Sequence, residues 1–233
     1  MSKSIEALGE LLKISFNDPE LLKQAVTHRS YLNEHRELEA GHNERLEFLG
    51  DAVLELVVTD YLFRNFADKN EGDMTSYRAA LVNTNTLAES AHTLGLNEFL
   101  LLSKGEAKDT GRARNIILAD TFEAVIGAIY LDQGYEVAER FIAENLFPKT
   151  GDIIANNLWQ DSKSYFQEKA QDEFGTTPTY QVLTEDGPDH NKRFTVGLYI
   201  GDELIAQGMG HSKQEAEQEA ARMGLNVKGW ATI

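Results

Sequence analysis

Acidic residues recur in this chain where an apolar helix has no structural need of them. In residues 42–63, HNERLEFLGDAVLELVVTDYLF, Glu44, Glu47 and Asp51 fall at i, i+3 and i+7, and Glu55 continues the row. At helical spacing these acids share one face. Apolar residues (Leu46, Phe48, Leu49, Val53, Leu54, Leu56, Val57, Val58) occupy the rest of the circumference, so most of the helix is expected to be buried. Like charges so spaced repel, burial raises the penalty, and something cationic should face them. A second apolar stretch, NIILADTFEAVIGAIYLD (residues 115–132), repeats the pattern with Asp120 and Glu123 one turn apart. Carboxylates on two buried helices suit a hard divalent cation such as magnesium, which prefers oxygen ligands and retains waters, leaving room for a phosphate and an attacking water. Ion pairing with Arg45, Arg78 or Arg114 fits the same spacing. Periodicity alone reads as a metal site or an ion-pair site and does not choose among the acids of the first helix.

The elements that must position these acids are helical up to about residue 147. Asp18-Pro19 is an N-cap and first-turn proline opening a helix through Leu21, Leu22, Ala25 and Val26. Long helices are predicted over residues 43–64 and 115–131, two shorter ones within 71–95, and another over 135–146. Pro148 and Gly151 interrupt the pattern, and the polar residues 153–160 read as a linker with some helical character. After Asp161 the pattern changes. A helix over 162–174 precedes strand-like runs at 180–185, 193–200 and 203–210, separated by GPDHN and Gly201-Asp202, and a last helix begins at Ser212.

Composition narrows the chemistry. With no cysteine there is no disulfide, zinc-thiolate site or thiol nucleophile. No apolar run reaches the roughly 20 residues that cross a bilayer. The opening MSKSIEALGELLKIS reads as an amphipathic helix rather than a secretion signal, and a cytoplasmic location is expected. The net charge of −16 opposes binding to a polyanion, and neither half, divided near residue 157, is basic. Any nucleic-acid contact must rest on local cations and bound metal.

Four motifs are similar to those of bacterial ribonuclease III: THRSYLNE (27–34), NERLEFLGDAVL (43–54), EGDMTSYRAALV (71–82) and LADTFEAVIGAIYLD (118–132). The resemblance spans essentially the whole chain, in the family's order and spacing. It implies an all-α endonuclease domain of the ribonuclease III fold over residues 1–150, a linker over 151–160, and an α+β (α-β-β-β-α) double-stranded RNA-binding domain over 161–228. It places the metal ligands at Glu47, Asp51, Asp120 and Glu123, with Asp51 and Glu123 catalytic and Glu44 and Glu71 supporting. Glu55 lies beyond the core signature and reads as surface or ion-pair charge. The implied cofactor is Mg2+, with Mn2+ as a substitute. One ion would lower the pKa of the attacking water and a second would stabilise the leaving 3′-oxygen. The implied products carry 5′-phosphate and 3′-hydroxyl ends with two-nucleotide 3′ overhangs, from ribosomal RNA precursors and other structured RNAs. The resemblance also implies a homodimer in which Phe48 enters a socket of the partner subunit. His28 reads as structural rather than as a base.

In the C-terminal module the resemblance places RNA contacts at Gln167, Glu168 and Gln171 of the first helix, His190 of the GPDHN loop, and Ser212 and Lys213 at the last helix start. The basic cluster that commonly follows the serine is reduced here, since Gln214 and Glu215 follow Lys213. The loop SKGEAKDTGRARN carries Lys104, Lys108, Arg112 and Arg114, the densest positive run of the first part, and is expected to meet phosphate or to be a solvated loop. Two other readings remain at this point: a double-stranded RNA-binding protein of the same fold that does not cleave, and a metal-dependent hydrolase of small phosphoesters.

Overall fold

A computed structural model describes residues 4–35, 41–155, 161–188 and 192–230. The chain divides into two compact units, Met1–Trp159 and Gln160–Ile233.

The first unit is helical. Short polar side chains start four of its helices by accepting hydrogen bonds from first-turn N–H groups. Ser4 caps α1 (Ile5–Leu12), Asp18 caps α2 (Pro19–Ala25), Asn70 caps α5 (Glu71–Leu81) and Asn83 caps α6 (Thr84–Thr93). Helix α3 (Arg29–Glu34), inside THRSYLNE, is an element that the apolar periodicity does not predict; it is capped by His28, whose Nδ1 accepts from Ser30 N–H at 3.3 Å. The long helices are α4 (Glu44–Asn65) and α7 (Arg112–Gln133), followed by α8 (Tyr135–Leu146) and α9 (Thr150–Ala155). Ile153 of α9 joins the core of this unit, so part of the stretch read as a linker packs as helix.

Helix α7 runs through the middle of the unit, with every residue from Ala124 to Ile129 buried. It crosses α4 at two glycines. A Cβ on Gly50 would lie 1.8 Å from the Glu123 carbonyl oxygen, and one on Gly127 would lie 2.2 Å from that of Leu46. Only glycine permits the two backbones to touch here. That contact brings one turn of α4 carrying Glu47 and Asp51 against one turn of α7 carrying Asp120 and Glu123.

The second unit has α10 (Ser162–Phe174), β1 (Thr179–Asp186), β2 (Arg193–Ile200), β3 (Glu203–Gly210) and α11 (Lys213–Lys228). The strands form an antiparallel sheet in the order β1-β2-β3. Phe166 and Ala170 of α10 and Ala220, Ala221 and Leu225 of α11 pack with Leu198 and Ile205 of the sheet. Gly208 admits α11, since a Cβ there would lie 2.1 Å from the Ala220 nitrogen. Among the described residues, no helix is long and apolar enough to cross a membrane.

Candidate functional site

Where α4 crosses α7, carboxylate oxygens of Glu47, Asp120 and Glu123 lie within 4.8 Å of one another. All three side chains are half-buried. Burial raises each carboxyl above its ordinary range, and the neighbouring acids add to it. Glu123 is pushed up to about 8, first by burial and then by the charges of Asp51, Asp120 and Glu47. Glu47 rises through burial and the charges of Asp120, Glu44 and Asp51, and Asp120 through burial and Glu44. Among the described residues no ion pair reaches any of these carboxylates, although Arg29 and His42 approach Glu44 at 3.5 and 3.7 Å. An all-oxygen, multiply negative and partly desolvated set without a basic partner fits a hard divalent cation. The ion-pair reading with Arg45, Arg78 or Arg114 finds no support: Arg78 bonds Thr59 Oγ1 at 3.0 Å, and Arg114 is committed elsewhere.

The other expected acids are placed differently. Asp51 stands outside the three-residue group with an exposed side chain, and it is close enough for its charge to raise Glu123. Its own carboxyl is raised by burial and by Glu55. Glu44 is exposed at the start of α4 and faces the group electrostatically. Glu71 lies in the first turn of α5 beside a separate cavity lined by Thr59, Phe63 and Arg78, and is not brought into the carboxylate group. Gly50 and Gly127 are the functional positions that the charge pattern overlooks. A glycine inside a strongly apolar helix, three residues from Glu47 in one case and four from Glu123 in the other, is the signal that marks them.

The basic loop after residue 102 is tied down from two sides. Ser103 N–H donates to Ser30 Oγ at 3.1 Å, and Lys104 N–H donates to the Glu34 carboxylate at 3.2 Å. From beneath, Arg114 donates to the Glu106 carbonyl at 2.9 Å and to Asn97 Oδ1 at 3.1 Å. Arg114 is only 8% exposed, which removes it from the loop's solvent-facing charge. Lys104, Lys108 and Arg112 are exposed. His28 bonds Ser30 Oγ at 2.8 Å, and its imidazole pKa is lowered by burial, an arrangement suited to holding α3 rather than to proton transfer.

Phe48 is 81% exposed and borders a cavity of about 600 Å³ lined by Leu21, Leu46, Leu49 and Leu131, with Gln24, Glu44 and Arg45 also on its wall. An apolar knob beside an apolar hollow is self-complementary under twofold symmetry.

In the second unit Gln167, Glu168 and Gln171 are exposed on α10. Ser212 caps α11 by accepting from Glu215 N–H at 3.1 Å, while Glu215 accepts from His211 N–H at 2.9 Å. Lys213 is exposed and ion-paired. His190 lies outside the described residues.

Together these features define a helical unit whose carboxylate group can hold a divalent cation, followed by an α-β-β-β-α unit. Residues 18–150 match the Ribonuclease-III-like family and residues 162–228 the double-stranded RNA binding motif. Ribonuclease 3 of Carboxydothermus hydrogenoformans is 47% identical over 225 residues, covering 97% of this chain and 96% of that protein. Ribonuclease 3 of Geobacillus thermodenitrificans is 46% identical over 222 residues, covering 95% and 90%. A crystal structure of the nuclease domain of ribonuclease III from Campylobacter jejuni superposes with a TM-score of 0.54 at 46% identity, covering 61% of this chain and 96% of that one. The chain belongs to the ribonuclease III family of endoribonucleases.

Proposed function

We propose that this protein hydrolyses phosphodiester bonds of double-stranded RNA with magnesium held by Glu47, Asp51, Asp120 and Glu123. The observation that carries this reading is the meeting of carboxylates from two helices, within 4.8 Å and without a basic partner among the described residues. Bound there, magnesium supplies Lewis acidity toward a phosphate oxygen and lowers the pKa of water, with manganese as a substitute. Glu123 and Asp120 offer the most shielded oxygens, and Asp51 offers a carboxylate at the exposed edge, where substrate arrives. Glu44, 3.5 Å from Arg29, stands at the rim of the site and adds to the charge that Glu47 feels.

Lys104, Lys108 and Arg112 hold the RNA backbone beside the acids, while Gln167, Glu168, Gln171, His190, Ser212 and Lys213 meet the duplex through the second unit. Phe48 of each subunit seats in the other's apolar hollow, giving a homodimer with one cleavage site per strand. A second structure of the Campylobacter jejuni nuclease domain, similar to this chain at 46% identity and a TM-score of 0.55, shows structural flexibility in a region involved in dimer formation of that domain. The products carry 5′-phosphate and 3′-hydroxyl ends with two-nucleotide 3′ overhangs. Ribosomal RNA precursors and other structured transcripts in the cytoplasm are the substrates, and the domain limits proposed are 1–150, 151–160 and 161–228, with α9 of the linker stretch packing on the first unit.

A time course on a long perfect RNA duplex, with magnesium or with chelator, tests this reading. Metal-dependent cleavage to short duplexes with 5′-phosphates is expected, and Glu123→Gln should lower kcat at least about a thousandfold while leaving duplex affinity within twofold. Binding without cleavage by the unsubstituted chain in magnesium and in manganese would overturn it.

A further inference from the structure

The double-stranded RNA-binding unit meets its polyanionic ligand with few cations, and two of them are already occupied. Glu185, near the end of β1, stands opposite Phe194 of β2 in the sheet register. Its carboxylate lies 3.2 Å from Lys213 Nζ, at the start of α11, and 3.3 Å from Lys192 Nζ, just before β2. Both ammonium groups also stand over the Phe194 ring, at 5.6 and 5.9 Å from its centroid. Three elements thus converge on one cation pair bridged by one acid. The side chains of Glu185 and Lys213 are 39% and 57% exposed, so no desolvated surroundings require this arrangement. The lysines hold the Glu185 carboxyl below its usual range, as a bound anion between two cations should be.

A phosphate oxygen is the same kind of ligand as a carboxylate oxygen, and ammonium groups bind either. We propose that Glu185 is an internal occupant of a phosphate-binding lysine pair, so that duplex RNA must displace its carboxylate from Lys192 and Lys213 to bind with full strength. The inference rests on the reading of this unit as the duplex-RNA contact surface, and it adds Lys192 and Glu185 to the residues that set affinity. Exposed ion pairs contribute little individually, so displacement tunes affinity rather than blocking binding. Each contact that RNA gains here replaces an existing one, which makes the salt dependence shallower than two unengaged lysines would give.

The test uses the full chain and a fluorescent RNA duplex in metal-free buffer, with anisotropy read across a range of NaCl. Glu185→Gln should tighten binding roughly three- to tenfold at low salt and steepen the slope of log affinity against log salt by about one. Glu203→Gln removes the same charge at the opposite end of β2, where Glu203 pairs with Ile200, and should change affinity less than twofold. In a Lys192→Ala, Lys213→Ala background the gain from Glu185→Gln should vanish. Unchanged or weaker binding by Glu185→Gln, an equal gain from Glu203→Gln, or a gain that survives loss of both lysines would each overturn the proposal. Failure of the unsubstituted chain to bind duplex RNA at any salt would remove the parent reading, whereas loss of the Glu185 effect alone removes only this one.

Discussion

At the scale of single residues, the carboxylate group is a proton-binding site as well as a cation site. Glu123, pushed up to about 8, holds a proton at neutral pH when no metal is present, and loading must expel it. A carboxyl whose folded pKa stands above its unfolded value binds more protons folded than unfolded. The contribution of Glu123 to metal-free stability is therefore most favourable below about 4.5 and declines as pH rises to about 8. Divalent metal reverses this, since it binds the deprotonated set. Thermal melts at pH 5.5 and 8.5 should show magnesium raising Tm more at the higher pH, by at least about 3 °C. Equal increments at both values would show that these carboxylates do not titrate with metal loading.

The acid stripes are legible in the sequence because helical period fixes the angle of each residue about its axis. The period does not say which neighbour that face will meet. Glu47 and Asp51 share a stripe, yet Glu47 enters the three-residue group while Asp51 stays at its exposed edge. Arg114 shows the same limit, because it reads as one charge of a basic run and is instead a buried strut. Burial depends on what packs above a residue, and that information is non-local.

At the scale of elements, the site depends on how closely α4 approaches α7. Gly50→Ala would thrust a methyl group into the Glu123 carbonyl, against which no side-chain rotamer can yield. Destabilisation by about 3 kcal/mol or more is expected, with cleavage lost even where the variant stays folded. Gly151→Ala, which meets nothing within 4 Å, should shift stability by less than about 1 kcal/mol. Thermal melts of the two variants decide whether the crossing or glycine content as such is responsible. The basic loop is a second element, held in place by its neighbours. Arg114→Met removes two hydrogen bonds from beneath it and should raise KM for duplex RNA several-fold while kcat stays within about twofold. Hydrogen exchange over residues 103–111 should rise in parallel; an unchanged exchange pattern would refute the strut role. The strand and helix order of the second unit is legible from its change of period, whereas α3 is too short to leave a periodic trace and is held by its His28 cap.

At the scale of the whole molecule, the net charge of −16 leaves affinity for RNA to local cations and bound metal. Three exposed cations, Lys104, Lys108 and Arg112, share one tied-down loop, while other exposed cations are spread over both units. Assembly adds a second requirement. Phe48 is too exposed to serve its own core, and Phe48→Ala should weaken dimerisation. Two phenylalanines lose their burial per dimer, each worth about 2 kcal/mol, so the dissociation constant should rise roughly a thousandfold. Sedimentation across a concentration series measures this, and a monomer at every concentration for the unsubstituted chain would contradict the proposed assembly.

The backbone contact at Gly50 and Gly127 has a consequence for how such a protein can change over time. At the crossing the two acid-bearing turns meet through main-chain atoms, so a side-chain exchange elsewhere in the core leaves this point of contact in place. Substitutions that tune stability can accumulate there with less effect on the spacing of the carboxylates than any change at the two glycines.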